Sequence, residues 1–421
     1  MSTPSEDRTR ERIGGGVAIA AALGVMNLAN YAFTIVAAHM LGPQPFGILL
    51  ALINVTLVAS VLSLALQATA ARRIAREPDH VGQVERVILR VGWMTSLGLG
   101  ALLLLLAPAV DSALKLGSLT TAVLLAVAVV PLTMMGAQAG VLQGERRWSA
   151  LALVYLAAGV PRVVLGSAML SWRADETVAF LSLTISAFIP VLVGWWALRH
   201  RRAPAESDST HTARALWWET VHNSQALLAF LALSSVDIVI ARNALHPKEA
   251  GLYAAGLIMV KAVAFVPQFV IVLAFPSMGT DAAPRAAMLI SLCVIGVTGA
   301  VIVAGVRLLP QLSLAFVGGH AYAGVGGRLW IFAALGTVLA MLQLLVYNVL
   351  ARRARSSVLA LWFGLVVMLV LGLQSTTVSG LLARVLLVDV LLLALLFLVS
   401  LRPQRPNDPA SPEPTPSPVP R

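Results

Sequence analysis

The feature that most restricts what this chain can fold into is a near-unbroken succession of long apolar stretches. They fall near residues 15–39, 46–71, 84–109, 118–142, 149–171 and 177–198, then 217–244, 251–276, 285–309, 328–350, 357–377 and 380–401. Each reaches the roughly 20 residues that an α-helix needs to cross a bilayer core. A membrane β-strand would be about ten residues long with alternating polarity, and no such alternation occurs here. Inside hydrocarbon a segment must satisfy its own backbone polar groups, which a helix does. The expected fold class is therefore all-α: a polytopic membrane protein of about 12 transmembrane helices. Composition agrees, with 58% hydrophobic and 12% charged residues against about 25% charged in soluble domains. The first stretch is too long for a signal-peptide core and reads as a retained span.

The formal charge of +11 could by itself suggest a nucleic-acid partner, but the placement of the 30 basic residues points elsewhere. With twelve spans and the N-terminus inside, only Lys115, Arg173, Arg242, Lys248, Arg307 and Arg328 fall in outer segments. Arg162, Lys261 and Arg384 lie within spans, and the other 21 are inside. That bias is the positive-inside rule, and it predicts both termini in the cytoplasm. The partners implied are membrane lipids with anionic headgroups, and no nucleic acid. The expected organisation is a cytoplasmic N-terminus (1–13), a first lobe of spans 1–6 (14–198), a cytoplasmic linker (199–215), a second lobe of spans 7–12 (216–402) and a Pro-rich cytoplasmic tail (403–421). The tail composition predicts an extended, disordered segment.

The two halves look related. A shift of 204 residues lays LGPQPFGILLA (41–51) over LHPKEAGLYAA (245–255), so that Leu41, Pro43, Gly47 and Ala51 meet Leu245, Pro247, Gly251 and Ala255. Both segments form the outer turn between the first two spans of their half. Six intervening spans make the repeats parallel, related by an axis along the membrane normal, an architecture that transporters use to rock two bundles about a shared site. Recurrence of Pro and Gly in tight turns is the alternative explanation.

Polar groups in a span must face protein or a wet cavity. Residues three, four or seven apart share a helix face. Span 1 carries Asn27, Asn30 and Thr34; span 2 carries Thr56, Ser60, Ser63 and Gln67; span 7 carries His222, Gln225 and Asp237; span 8 carries Tyr253, Lys261 and Gln268. These first two helices of each half are expected to line a central cavity, with Tyr155 and Arg162 of span 5 nearby. Simple helix–helix bonding is the competing account of any single Asn, Ser or Thr. A charge at mid-span costs about 2.5–3.5 kcal/mol on insertion scales. Lys261 therefore either pairs with Asp237 or Asp389 or forms a cationic wall for an anionic substrate. Asp237 and Asp389 are the candidates for ion coupling, although Asp389 could instead pair with Arg384. Pro161 is expected to weaken the helix beside Arg162.

The sequence holds no Walker-type loop, no nucleophile elbow and no His/Glu metal spacing, so neither cofactor nor metal is expected. The single cysteine, Cys293, lies in an apolar stretch and reads as a small hydrophobe.

The segment NYAFTIVAAHMLGPQPFGILLALINV (30–55) and the basic ARRIARE (71–77) resemble the opening of the Wzx-type polysaccharide flippases. That family belongs to the multidrug/oligosaccharidyl-lipid/polysaccharide (MOP) exporter superfamily. VDIVIARNALHPKEAGLYAAGLIMV (236–260) resembles its Asp-led seventh helix and the turn into the eighth, and AFVGGHAYAGVGGRLWIFAALG (315–336) its outer loop before helix ten. The resemblance implies two six-helix lobes around a central cavity that opens alternately inward and outward. It also implies a polyprenyl-pyrophosphate-linked oligosaccharide as cargo, with Lys261 and then Arg162 as phosphate contacts and polysaccharide-assembly proteins as partners. Lipid II flippases of the same superfamily have fourteen helices and arginines in the first two, which this chain lacks. Multidrug MATE exporters carry a buried acid in helix 1, also lacking here, but a MATE-like cation-coupled exporter stays open as an alternative through Asp237 and Asp389. A polytopic polymerase or ligase is the second alternative. It would need acid, base and arginine groups in an outer loop, yet the longest outer segment, 310–327, has one His and no carboxylate.

Overall fold

The computed structural model describes residues 4–76, 81–199, 213–274, 284–351 and 355–401. Most of the 199–215 linker and the 403–421 tail lie outside the described residues. Among the described residues, twelve long helices coincide with the twelve apolar stretches. The first six are α1 (Pro4–Leu41), α2 (Pro43–Arg76), α3 (Val81–Leu105), α4 (Leu119–Gly144), α5 (Trp148–Trp172) and α6 (Glu176–Leu198). The second six are α7 (Ala213–Ala244), α8 (Pro247–Ala274), α9 (Pro284–Leu308), α10 (Leu329–Ala351), α11 (Arg355–Leu373) and α12 (Val378–Leu401). Among the described residues ten are long and apolar enough to cross a membrane, and α11 adds the shorter apolar run Val358–Leu373. The protein is a multi-pass membrane protein. Leu97 of α3, Val297 of α9 and Phe363 of α11 point outward from the bundle, as lipid-facing positions require.

Local signals set the helix ends. α1 stops at Leu41 because Gly42, at φ 72°, takes the left-handed conformation that closes a helix. Pro43 then occupies the first position of α2, where its missing N–H costs nothing. The Phe46 N–H donates to the Gly42 carbonyl at 3.1 Å, and the Ala250 N–H to the His246 carbonyl at 2.9 Å. Those two bonds are 204 residues apart, so the repeat holds at the level of individual backbone bonds. The α6 start is capped by Asp175, whose Oδ1 accepts from the N–H groups of Thr177 (2.8 Å) and Val178 (3.4 Å). α5 continues through Pro161 without a break in its helix.

Each half packs in one pattern. In the first, α1 lies on α5, α4 touches α2, α3 and α6, and α5 adjoins α6. In the second, α7 lies on α11, α10 touches α8, α9 and α12, and α11 adjoins α12. Adding six to every number of the first set yields the second. Without a hydrophobic drive between helices in lipid, close approach depends on small residues. Gly136, Gly140 and Gly144 of α4 supply it, since a Cβ at any of them would lie within 3 Å of Ser63, Gln67 or Ile74 of α2.

The symmetry breaks at the seam between lobes. There α2 packs along both α7 and α8, whereas α1 touches α8 only lightly. The lobes meet most tightly at the end of the bundle that carries the Gly42 and His246 turns, the turn end. A Cβ on Gly251 would fall 1.9 Å from the Pro43 carbonyl oxygen, and one on Gly47 would fall 3.1 Å from the Gly251 Cα. The repeated turn motifs thus press directly against each other.

Candidate functional site

Four polar residues gather about midway through the bundle, two on each side of a chemical pairing. The Lys261 ammonium of α8 donates to Asn54 Oδ1 of α2 at 2.9 Å, across the lobe seam. Within the first lobe Arg162 Nη1 donates to Asn30 Oδ1 of α1 at 3.1 Å, and its guanidinium lies 5.5 Å from the Phe33 ring centroid. Arg162 Nε is buried without a hydrogen-bond partner. Counted from the turn end at 1.5 Å per residue, all four lie roughly 15–21 Å deep, near the middle of an apolar core of about 30 Å. Lys261 is close enough to Arg162 and Asp237 for both charges to act on it. Its bond, however, is to a neutral carboxamide and not to a carboxylate.

Asn54 was not marked by its helix pattern, and it is the best-held member of the group. It is 1% exposed, and its Nδ2 donates to the Leu50 carbonyl at 2.8 Å. Lysine only donates and a carbonyl only accepts, so these two bonds fix which amide atom faces which partner.

A second cluster lies inside the second lobe. Asp237 of α7 accepts from the Ile238 N–H at 2.8 Å and from the Tyr253 hydroxyl of α8 at 3.1 Å. Asp389 of α12 is 1% exposed, its Oδ1 has no hydrogen-bond partner, and it lies within electrostatic range of Asp237. The expected alternative pairing of Asp389 with Arg384 does not form. Arg384 Nη1 donates instead to the Leu371 carbonyl (2.9 Å) and Ser375 Oγ (2.8 Å), because five residues along a helix place two side chains on different faces.

Several expected cavity residues sit elsewhere. Gln67 Nε2 donates to Gln143 Oε1 (2.9 Å) and to the Tyr155 hydroxyl (2.7 Å), inside the first lobe. Ser63 donates to the Leu132 carbonyl of α4 at 2.7 Å, while Thr56 and Ser60 bond back to their own helix. Within the span 2 stripe, Ser63 and Gln67 therefore join helices of the first lobe. Tyr253 is fully buried against Asp237 and against Phe332, whose ring centroid is 5.3 Å away. Thr34 bonds the Asn30 carbonyl at 3.0 Å; Asn27 is half-buried and Gln225 exposed. The side chains of His222 and Gln268 lie outside the described residues. Among the described residues no group of three or more His, Cys, Asp or Glu side chains could hold a metal. An apolar cavity of about 460 Å³ lies on the flank, between α8, α9 and a short helix at Pro310–Val317, lined by Met259, Ile302, Leu312 and Phe316 among others.

Between this layer and the turn end, two reciprocal straps join the lobes. After α3, a short helix at Ala107–Leu114 ends on Lys115, in the left-handed conformation at φ 48°. The Leu114 and Lys115 carbonyls accept from Arg242 Nε (2.9 Å) and Nη2, and Lys115 Nζ donates to the Asn243 carbonyl at 3.0 Å. After α9, the equivalent excursion ends in a 3₁₀ turn at Gly319–Tyr322. The Tyr322 hydroxyl donates to the Ala38 carbonyl of α1 at 2.9 Å, and burial holds that phenol well above its usual pKa range. Ala38 and Arg242 are again 204 residues apart.

Comparison with known proteins places this arrangement. Residues 14–280 match the family described as polysaccharide biosynthesis protein. Comparison with curated sequences finds no match. Among solved structures, the chain resembles one described as the inward-facing conformation of a multidrug resistance MATE family transporter of the MOP superfamily. The TM-score is 0.69 at 15% identity, covering 89% of this chain and 93% of that one. The outward-facing conformation of a transporter so described gives 0.58 at 16%, covering 91% and 93%. A MOP superfamily transporter from Pyrococcus furiosus, described as having a binding pocket of reverse polarity, gives 0.58 at 16%, covering 92% and 94%. The fold is that of the MOP superfamily, and with the match over residues 14–280 it follows that the chain belongs to the polysaccharide biosynthesis protein family.

Proposed function

We propose that this protein carries a polyprenyl-pyrophosphate-linked oligosaccharide, or a related polysaccharide precursor, from the inner to the outer leaflet of the cell membrane by alternating access. The observation that carries the reading is the midplane pair Lys261 and Arg162. They are two cations, one from each lobe, near enough to interact and each bonded to a neutral asparagine. Charges that costly to bury mark a site for an opposite charge, and a pyrophosphate supplies it. The lightly packed seam between α1 and α8 leaves a side on which the lipid tail can stay in the bilayer while the head passes between the lobes. In this reading the turn end faces outward, both termini are cytoplasmic, and the strapped turn end is the closed outer gate of a carrier awaiting cargo from inside. Polysaccharide-assembly proteins would deliver and receive the cargo.

Ion coupling is assigned to Asp237 and Asp389. Two buried carboxyl groups on α7 and α12, within range of each other, need a proton or a cation between them. The same pair favours a second reading, a MATE-like cation-coupled exporter of drugs or metabolites. The two separate on cargo. Protein reconstituted in liposomes should translocate a fluorescent polyprenyl-pyrophosphate saccharide, and Lys261→Ala with Arg162→Ala should abolish that transport. If the double variant flips the lipid at the unmodified rate, the phosphate-site reading is wrong.

A further inference from the structure

The bond between Lys261 and Asn54 is both a substrate contact in waiting and a strut between the lobes, and that double role has a mechanical consequence. The other cation, Arg162, is held by Asn30 inside one lobe, so exchanging that partner moves nothing between lobes. The Lys261 bond joins residues 207 apart, on α8 of one lobe and α2 of the other. Counted from the turn end, it lies deeper than both straps and than a further cross-lobe bond, from the Tyr31 hydroxyl of α1 to the Ile258 carbonyl of α8 at 2.7 Å.

We propose that Asn54 is a placeholder for the cargo's phosphate, and that the arriving anion expels it from Lys261 and thereby releases the lobes at the turn end. This rests on the phosphate-site reading above. Three features support it. Asn54 presents an acceptor oxygen to the ammonium, which is what a phosphate oxygen also presents. A phosphate oxygen bears a full negative charge where the carboxamide oxygen is only the end of a dipole, so its attraction to the ammonium in a low-dielectric interior is the larger, and the exchange runs toward the anion. Finally, Asn54 cannot adapt by turning its amide. Its Nδ2 is held by the Leu50 carbonyl, so its oxygen would face the phosphate oxygens, acceptor against acceptor. The empty carrier stays shut because the strut is made, and loading breaks it.

The test uses full-length protein in lipid nanodiscs with Cys293→Ser and label sites Arg173→Cys and Lys248→Cys, one per lobe at the turn end. Label separation is measured with and without farnesyl diphosphate. The unmodified sequence should be closed when empty, with loading raising the parted fraction about tenfold, the scale of one hydrogen bond to a charged group. Asn54→Ala should be parted to that same degree when empty and gain less than about twofold on loading. Asn54→Asp, which turns the strut into an ion pair, should stay closed under both conditions. A strut that no anion displaces would give the same empty-state shifts, parted in Asn54→Ala and closed in Asn54→Asp, but would leave the label separation of the parent unchanged by farnesyl diphosphate. That result, or an Asn54→Ala protein as closed as its parent, overturns the proposal. Farnesyl diphosphate binding to Lys261→Ala is measured alongside. Retained binding there refutes the phosphate site itself, whereas lost binding with unresponsive Asn54 variants refutes only the strut.

Discussion

Adding one methyl group at Gly251 should tilt the carrier away from its closed turn end. In the structure a Cβ there would sit 1.9 Å from the Pro43 carbonyl oxygen and 2.2 Å from its carbon, both backbone atoms with no rotamer to yield. Ordinary van der Waals contact begins near 3.5 Å, so the two lobes must move apart by roughly 1.5 Å or strain locally. Overpacking of this kind costs about 1–3 kcal/mol. With the lobes parted the same methyl meets no such wall, and helix propensity favours Ala over Gly by about 1 kcal/mol in either state. The strain therefore appears as a population shift of about 5- to 150-fold toward the parted state. Spin labels at Arg173→Cys and Lys248→Cys in nanodiscs should show a longer distance component in Gly251→Ala. Gly47→Ala, whose Cβ would approach backbone only to 3.1 Å, should show a smaller one. Equal distance distributions in Gly251→Ala and its parent would refute the reasoning, as would a larger effect at Gly47.

Other consequences can be checked separately. Tyr322→Phe deletes the donor to the Ala38 carbonyl; it should loosen that strap by about 1 kcal/mol, read as a several-fold faster labelling of a cysteine placed at Ala38. Asp389→Asn should leave binding of a polyprenyl diphosphate intact while uncoupling its transport from an imposed proton or sodium gradient. Unchanged gradient dependence would exclude Asp389 from coupling. Gly140→Leu, which drives a side chain into Gln67 and Ala70 of α2, should cut the yield of folded protein by far more than Gly98→Leu, where a Cβ meets nothing within 4 Å.

The parts of this architecture that depend on runs and repeats were legible in the sequence. Span positions follow from hydropathy. The 204-residue offset, visible as four identities around two turns, reappears as equivalent turn bonds at Phe46 and Ala250, as one contact pattern per lobe, and as strap positions Ala38 and Arg242. The site was legible in its charges and in one of their two partners. Lys261 and Arg162 stand out because a cation in a span is rare, and Asn30, which holds Arg162, belongs to the span 1 stripe, but Asn54 does not stand out. Asn54 lies two residues from Thr56, about 200° around the helix, so a search for stripes of period 3.6 groups Thr56, Ser60, Ser63 and Gln67 and leaves Asn54 out. The stripe faces α4, as Ser63 and Gln67 show, and Asn54 faces α8. A polar stripe reveals which side of a helix has company, not whether that company is a neighbouring helix or a cavity. For Tyr253 it was Asp237 within the same lobe. The single isolated Asn, opposite the stripe, was the available signal.

The central claim is that the midplane cations of the two lobes jointly hold the phosphate head of a lipid. A cryo-EM structure of the protein with a bound polyprenyl-pyrophosphate saccharide tests this most directly. The account predicts pyrophosphate density within hydrogen-bond distance of Lys261 Nζ and the Arg162 guanidinium, with Asn54 withdrawn and the lipid chain leaving through the α1–α8 seam. Density for the head elsewhere, with Lys261 still bonded to Asn54, would contradict it.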